Sequence, residues 1–340
     1  ERYQKLARSK FYFEDDHNLE ARIMVRTGRL NEVVRHLEKR TQVDKKLRKV
    51  HFSYRESPLL LSFCYSLYGA GDKALAAAQE GIRLGEQINS PFVTAVGYIR
   101  QGHAFLLSEK MPKEQAWEAY EKALEHVDHL NIVRVKSEVC AGQCLLYALK
   151  NAWADAQHCG LEGIRITEKV QDQWFLAILT HSLGMAAAIC TKYEESRKYL
   201  HKAGKLFERC GDSFGKTLVN WWLGYVAYKL QNQEEFSFYF GKVIDLAQAN
   251  NYEFLLERPS LFGDITGEYS ALLVEEAKRL GGEDVKVIVR SGFEEMKASP
   301  WEKEDAVHEG IPILNYLVPK AFLHTAGKLT GMSFEKVKAV

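Results

Sequence analysis

The chain has 340 residues, with 46 Lys+Arg against 45 Asp+Glu for a formal net charge of +1, and it is 46% hydrophobic and 27% charged. This is the composition of a folded globular protein, so disordered and collagen-like classes are excluded, and a balanced charge leaves nucleic acid only a local patch to bind. No apolar run approaches the roughly 18 residues of a membrane span; no secretory signal is expected behind Glu1, and six cysteines make no disulfide framework, so a reducing cytoplasm is the expected location.

In chain order, residues 1–17 are expected to form an N-terminal helix or cap. The segment 18–50 reads as a degenerate first repeat, because Val34 lies 40 residues before Ala74. Beyond it, no proline falls between 113 and 258, and that stretch is rich in helix formers. Small residues recur at Ala74, Ala116, Ala156 and Ser196, at intervals of 42, 40 and 40. Seven residues on stand Gly81, Ala123, Gly163 and Ala203, two helical turns away and so on the same face. Gly102, Gly142, Gly184 and Gly224 form a third series. Helix starts agree with the period. Ser57-Pro58 and Ser90-Pro91 place a capping hydroxyl before a first-turn proline, and Asn131, Asp172 and Asp212 stand where later repeats need a cap. The repeats therefore run over 57–89, 90–130, 131–171, 172–211 and 212–251. Each is two antiparallel helices joined by a polar turn such as Ala70-Gly71-Asp72 or Gln231-Asn232-Gln233. One pair cannot bury its apolar face alone, so the pairs stack, with small residues where backbones approach closely.

Leu183-Gly184 followed by Ser196 and Ala203 resembles the tetratricopeptide repeat, whose pattern is a Leu-Gly pair, Ala twelve residues after the Gly, and Ala seven after that. Leu223-Gly224 followed by Phe236 and Val243 keeps the spacing with larger residues. The resemblance covers about residues 20–255. It implies an all-α, right-handed superhelical solenoid of antiparallel helix pairs over 18–256, with a period of about 40 residues against 34 in the family and hence longer helices. It also implies that the first helix of each pair lines a concave groove. Positions around its glycine then give Ile99, His103 and Leu106; Val139, Gln143 and Leu146; His181, Met185 and Ala188; and Trp221, Tyr225 and Tyr228, with Tyr147 one residue beyond. The candidate binding residues are His103, Gln143, Tyr147, His181, Met185, Trp221, Tyr225 and Tyr228. Apolar walls with a few convergent polar groups suit a small effector or a peptide. The alternative is that the histidines are satisfied core residues and that Trp221 packs between repeats.

The run Phe254-Leu255-Leu256-Glu257-Arg258-Pro259-Ser260-Leu261-Phe262-Gly263 ends the array. It looks like a stretch that follows helical repeats in large multidomain bacterial transcription regulators resembling the maltose-regulon activator. That resemblance implies a sensor region working with flanking ATPase and DNA-binding modules. Residues 257–340 are expected to form a helical extension. It has an amphipathic helix over 268–280, a further element over 284–296 whose Val285, Val287, Ile288 and Val289 also suit a strand, a linker at 299–303, and an apolar run Ile311–Leu323 packing on the last repeat or a neighbour.

No catalytic constellation emerges, so no enzyme activity and no cofactor are expected. Cys210–Thr217 approaches a phosphate loop, but its first Gly is one position late and no strand precedes it; it reads as a helix start capped by Asp212. Cys140 and Cys144 read as core, His126 and His129 as C-terminal caps, and Glu194-Glu195 and Glu234-Glu235 as favourable charges at helix starts. The basic stretch 35–49 reads as a solvated or docking turn, with no direct nucleic acid or membrane contact expected. The function these features support is a non-catalytic sensor or interaction module binding a small effector or a protein partner. A stand-alone peptide receptor or a protein scaffold is the alternative.

Overall fold

The computed structural model describes residues 17–47, 52–108, 110–127, 132–252, 254–257, 269, 272, 287–291, 293, 313–325 and 328–337. The chain divides into two compact units, Glu1–Val274 and Glu275–Val340.

The first unit is all-α among its described residues. A short pair, α1 (His17–Arg26) and α2 (Leu30–Leu47), precedes five longer ones. In each of these an inner A helix is followed by an outer B helix. They are α3 (Phe52–Leu67) and α4 (Gly71–Gln87); α5 (Pro91–Leu107) and α6 (Glu114–Val127); α7 (Val133–Leu149) and α8 (Trp153–Val170); α9 (Gln173–Ile189) and α10 (Tyr193–Cys210); and α11 (Ser213–Lys229) and α12 (Gln233–Asn250). The last turn of helix is α13 (Phe254–Glu257). Each A helix packs on its own B helix, on the preceding B helix and on the next A helix, so the pairs stack as a tetratricopeptide-like solenoid.

Local chemistry sets these boundaries. Ser90 caps α5 through Val93 N with Pro91 at the first position, Asp172 caps α9 through Phe175 N at 3.1 Å, and Asp212 caps α11 through Gly215 N at 2.9 Å. Residues in the left-handed region, among them Asn89, Asn151, Gln171, Gln231 and Asn251, sit in the turns and reverse the chain. One expected start moves. Helix α3 begins at Phe52 and carries Pro58 inside it, because Leu59, Leu61 and Cys64 are buried on the same helix and their packing outweighs the lost hydrogen bond. Asn131 lies outside the described residues.

The small-residue columns have two jobs. Ala74, Ala116, Ala156 and Ser196 are fully buried, and Ser196 Oγ donates to Gly184 O at 2.8 Å, sealing a B helix to its A helix. The helix-A glycines instead receive side chains. The Tyr120 ring lies against both Gly102 and Gly142, Leu200 against Gly184 and Tyr269 against Gly224. Close backbone approach, which the sequence predicts at all these columns, occurs at Gly85 with Thr94 and at Gly97 with Ile82.

The second unit corrects the expected helical extension. Its described residues form strands: β1 (Val287–Ile288) pairs parallel with β2 (Ile313–Leu314), and β3 (Leu317–Thr325) pairs antiparallel with β4 (Lys328–Lys336). β-Branched and aromatic residues favour the pleated state there. Pro319 has no N–H to give the ladder, and the register shifts between Pro319 and Ala321. The apolar run Ile311–Leu323 is thus largely strand. The expected linker at 299–303 and most of the expected helix at 268–280 lie outside the described residues.

Candidate functional site

The A helices bring a mixed charged and aromatic cluster together on their inner side. Phe63 comes from α3, Arg100 and His103 from α5, Glu138 from α7 and Trp174 from α9. Phe63 stands edge-on to both His103 and Trp174, at 6.3 Å between centroids in each case. Since α5 and α7 lie between α3 and α9 in the stack, the array curves tightly enough for non-adjacent A helices to meet.

At the centre, Arg100 Nη1 donates to Glu138 Oε1, and the Arg100 guanidinium also lies 5.1 Å from the centre of the Phe63 ring. Both charged residues are buried, at 8% and 5% exposure. Burial works to raise the Glu138 carboxyl, but the Arg100 charge together with His103 and Arg134 outweighs it and holds the group far below the usual carboxylate range. His103 Nδ1 lies 2.7 Å from the Tyr120 hydroxyl and its Nε2 3.7 Å from Glu138 Oε1. Burial lowers the His103 pKa, with Arg100 adding to the shift and Glu138 opposing it. The ring thus bridges the Tyr120 hydroxyl and the Glu138 carboxylate. Arg100 Nε is buried with no hydrogen-bond partner among the described residues. The Arg100 and Glu138 charges are matched. The arrangement ties α5 to α7 beside the Phe63–Trp174 contact. Among the described residues no group of three His, Cys, Asp or Glu side chains could hold a metal ion.

The predicted groove residues separate into four settings. His103 belongs to the buried network. His181 and Met185 are core: His181 is 6% exposed, edge-on to Phe207 at 6.1 Å, and burial lowers its pKa to about 4. Gln143 and Tyr147 turn toward B helices, Gln143 Oε1 lying 3.8 Å from Cys159 Sγ and Tyr147 edge-on to Trp117 at 5.0 Å. Trp221, Tyr225 and Tyr228 gather around Tyr269, at 4.9, 5.9 and 6.1 Å between centroids. Tyr269 is fully buried and covers Gly224, so this aromatic group caps the end of the array.

The sequence reading missed Arg100, Glu138 and Trp174. Arg100 lies three residues before His103 on one helix, a local signal that could have been used. Glu138 and Trp174 reach the cluster only through the superhelical curvature, which has no local signature. Asp172 was legible as a cap, but its second role is not: it accepts from Arg26, 146 residues away, at 2.9 Å.

Among solved structures, the chain is similar to a Rap protein complexed with competence and sporulation factor, with a TM-score of 0.54 and 11% identity over 75% of this chain and 74% of that one. This likeness is one of fold. Two others have lower TM-scores. One is a signal transduction ATPase with numerous domains and a tetratricopeptide repeat sensor from Pyrococcus horikoshii, with a TM-score of 0.45 and 15% identity over 86% of this chain and 43% of that one. The other is the apo form of RapI, with a TM-score of 0.40 and 17% identity over 82% and 79%. No protein-family model and no curated protein sequence matches the chain.

Proposed function

We propose that the chain is a non-catalytic sensor or interaction module that binds a peptide, a protein segment or a small effector on its concave face, as in cytoplasmic bacterial transcription regulators with flanking ATPase and DNA-binding modules. The observation that carries this reading is the buried Arg100–Glu138–His103 network beneath the Phe63–Trp174 contact. A buried ion pair is a poor device for stability alone, since apolar residues of similar volume serve as well or better. Here it ties α5 to α7 at the point where α3 and α9 also meet, so an occupant there would act on the curvature of the array. The alternative, a stand-alone peptide receptor, is favoured by one observation: the similar Rap protein was solved in complex with competence and sporulation factor.

The test is a thermal-shift screen of short peptides and small effectors against the wild type, Phe63→Leu and Trp174→Phe. A concave-face ligand raises the wild-type melting temperature by mass action and loses at least tenfold in affinity in one of the variants. Ligands that stabilise all three proteins equally would move the site off the concave face.

A further inference from the structure

The turn between α1 and α2 reaches the opposite end of the array. Arg26 places Nη2 2.9 Å and Nη1 3.3 Å from the two carboxylate oxygens of Asp172, and its guanidinium lies 5.2 Å from the centre of the Trp174 ring. The next two residues present carbonyls: Thr27 O accepts from Ser213 Oγ at 3.3 Å, and Gly28 O accepts from Tyr252 Oη at 2.6 Å. Asn31 Nδ2 then donates to Asn251 O at 2.7 Å. Gly28 has φ +79, and a Cβ there would lie 2.5 Å from Phe214 N and 2.9 Å from Asp212 Oδ1, so only glycine lets the turn seat this closely. Beside it, Tyr68 of α3 meets Phe254 of α13 at 4.5 Å between centroids. The first and last parts of the array therefore touch, and the solenoid closes on itself.

These closing contacts add polar groups to a packed seat formed by Gly28, Phe214, Tyr252 and the Tyr68–Phe254 pair. Helices α1 and α2 pack on each other and on α3, whereas the turn itself makes the polar contacts with the starts of α9 and α11 and with Asn251 and Tyr252. The central ion pair is partly exposed, its side chains at 38% and 17%, and such pairs hold weakly. In a solenoid each repeat is stabilised by its neighbours, so parting the ends leaves every repeat interface intact. The receiving residues offer a carboxylate and an aromatic face to one guanidinium, and a linked hydroxyl pair, Ser213 and Tyr252 at 2.6 Å, to the carbonyls that follow.

We propose that Asp172, Trp174, Ser213 and Tyr252 form a receptor for a guanidinium-bearing peptide turn, that Arg26–Gly28 is its built-in occupant, and that the ring closed by this contact is a releasable clasp. Where the concave face is the binding surface, the clasp gates it; that consequence rests on the function proposed above, while the clasp is tested without any concave-face ligand.

Small-angle scattering and far-UV circular dichroism on the wild type, Arg26→Ala, Arg26→Lys and Asp172→Asn decide the matter. Asp172→Asn keeps a capping oxygen for α9 and removes the charge. The expected result is a larger radius of gyration at unchanged helix content in Arg26→Ala and Asp172→Asn, with Arg26→Lys between them and the wild type, because an ammonium keeps the charge but not the fork. A synthetic peptide of residues 22–33 is expected to bind the Arg26→Ala protein at least tenfold more tightly than the wild type, whose own turn competes at high effective concentration. The same peptide with alanine in place of Arg26 is expected not to bind. Unchanged scattering in both charge-removing variants, with or without a lower melting temperature, would make the turn a fixed part of the fold and overturn the clasp. Equal peptide binding by the two proteins, or none, would overturn the receptor.

Discussion

At the scale of single residues, the decisive feature is how few ionisable groups inside the array are left to solvent. Arg100 and Glu138 neutralise each other, and burial lowers the pKa of His103 beside them. His181 has no such partner: burial lowers its pKa from 6.5 to about 4, with a backbone interaction at Leu218 working against the shift. The unfolded chain takes up a proton at this ring below about pH 6.5, and the folded chain resists until about pH 4. The stability gained by keeping the ring neutral is therefore complete above pH 6.5 and is lost as pH falls toward 4. Asp212 has the opposite sign. Burial raises its carboxyl from 3.8 to about 6, so its cost to the fold is relieved as pH falls through that window. Comparing the wild type with His181→Leu isolates the histidine. Between pH 6.5 and 4 the wild type is expected to lose roughly 3 kcal/mol relative to the variant, read from urea midpoints. Parallel pH profiles would mean that the ring is not held neutral by burial.

At the scale of helices, glycines within one array have different worth, and the neighbour decides which. The Cβ of an alanine at position 142 would lie 2.2 Å from Cζ of Tyr120, a fully buried ring already wedged against Gly102. Alanine gains about 1 kcal/mol of helix propensity over glycine, while overpacking a buried site costs about 1–3 kcal/mol. With a contact this short against a ring that cannot move, the loss wins, and Gly142→Ala is expected to destabilise by about 1–2 kcal/mol. Gly241, within α12, has nothing within 4 Å of its would-be Cβ. Gly241→Ala is therefore expected to stabilise by up to about 1 kcal/mol. Thermal melts of the pair check both; shifts of the same sign would remove the distinction. The capping residues were legible for a simple reason: an N-cap hydroxyl or carboxylate serves an amide three residues on, so its whole effect lies within one turn of chain.

At the scale of the molecule, the first and last described repeats are held differently. The C-terminal end is covered by Tyr269, which lies over Gly224 and against Trp221. The N-terminal pair turns back to the starts of α9 and α11. Capping of this kind is what a quasi-linear fold requires, because a terminal repeat lacks one neighbour. Tyr269→Ala should open a cavity at one end only and cost about 3 kcal/mol there. Hydrogen exchange should then quicken in α11 and α12 while α5 to α8 keep their protection. Uniform loss of protection across the array would instead show that the unit unfolds as a single body.

The sequence by itself determined what depends on short stretches of chain: the helical period, the cap residues Ser90, Asp172 and Asp212, and the buried small-residue columns at Ala74, Ala116, Ala156 and Ser196. Each follows from interactions within one helix or between one helix and the next, which a fixed spacing records. Three things depended on the tertiary structure. The curvature brings Phe63 to Trp174, the closure brings Arg26 to Asp172, and the cap places Tyr269 on Gly224. Small rotations between successive repeats add up to these contacts, and no local residue pattern encodes their sum. For the same reason the aromatic stripe at Trp221, Tyr225 and Tyr228 read as an open groove wall in the sequence. Which face of a helix stays open is decided by what folds back upon it, and here Tyr269 lies against that stripe.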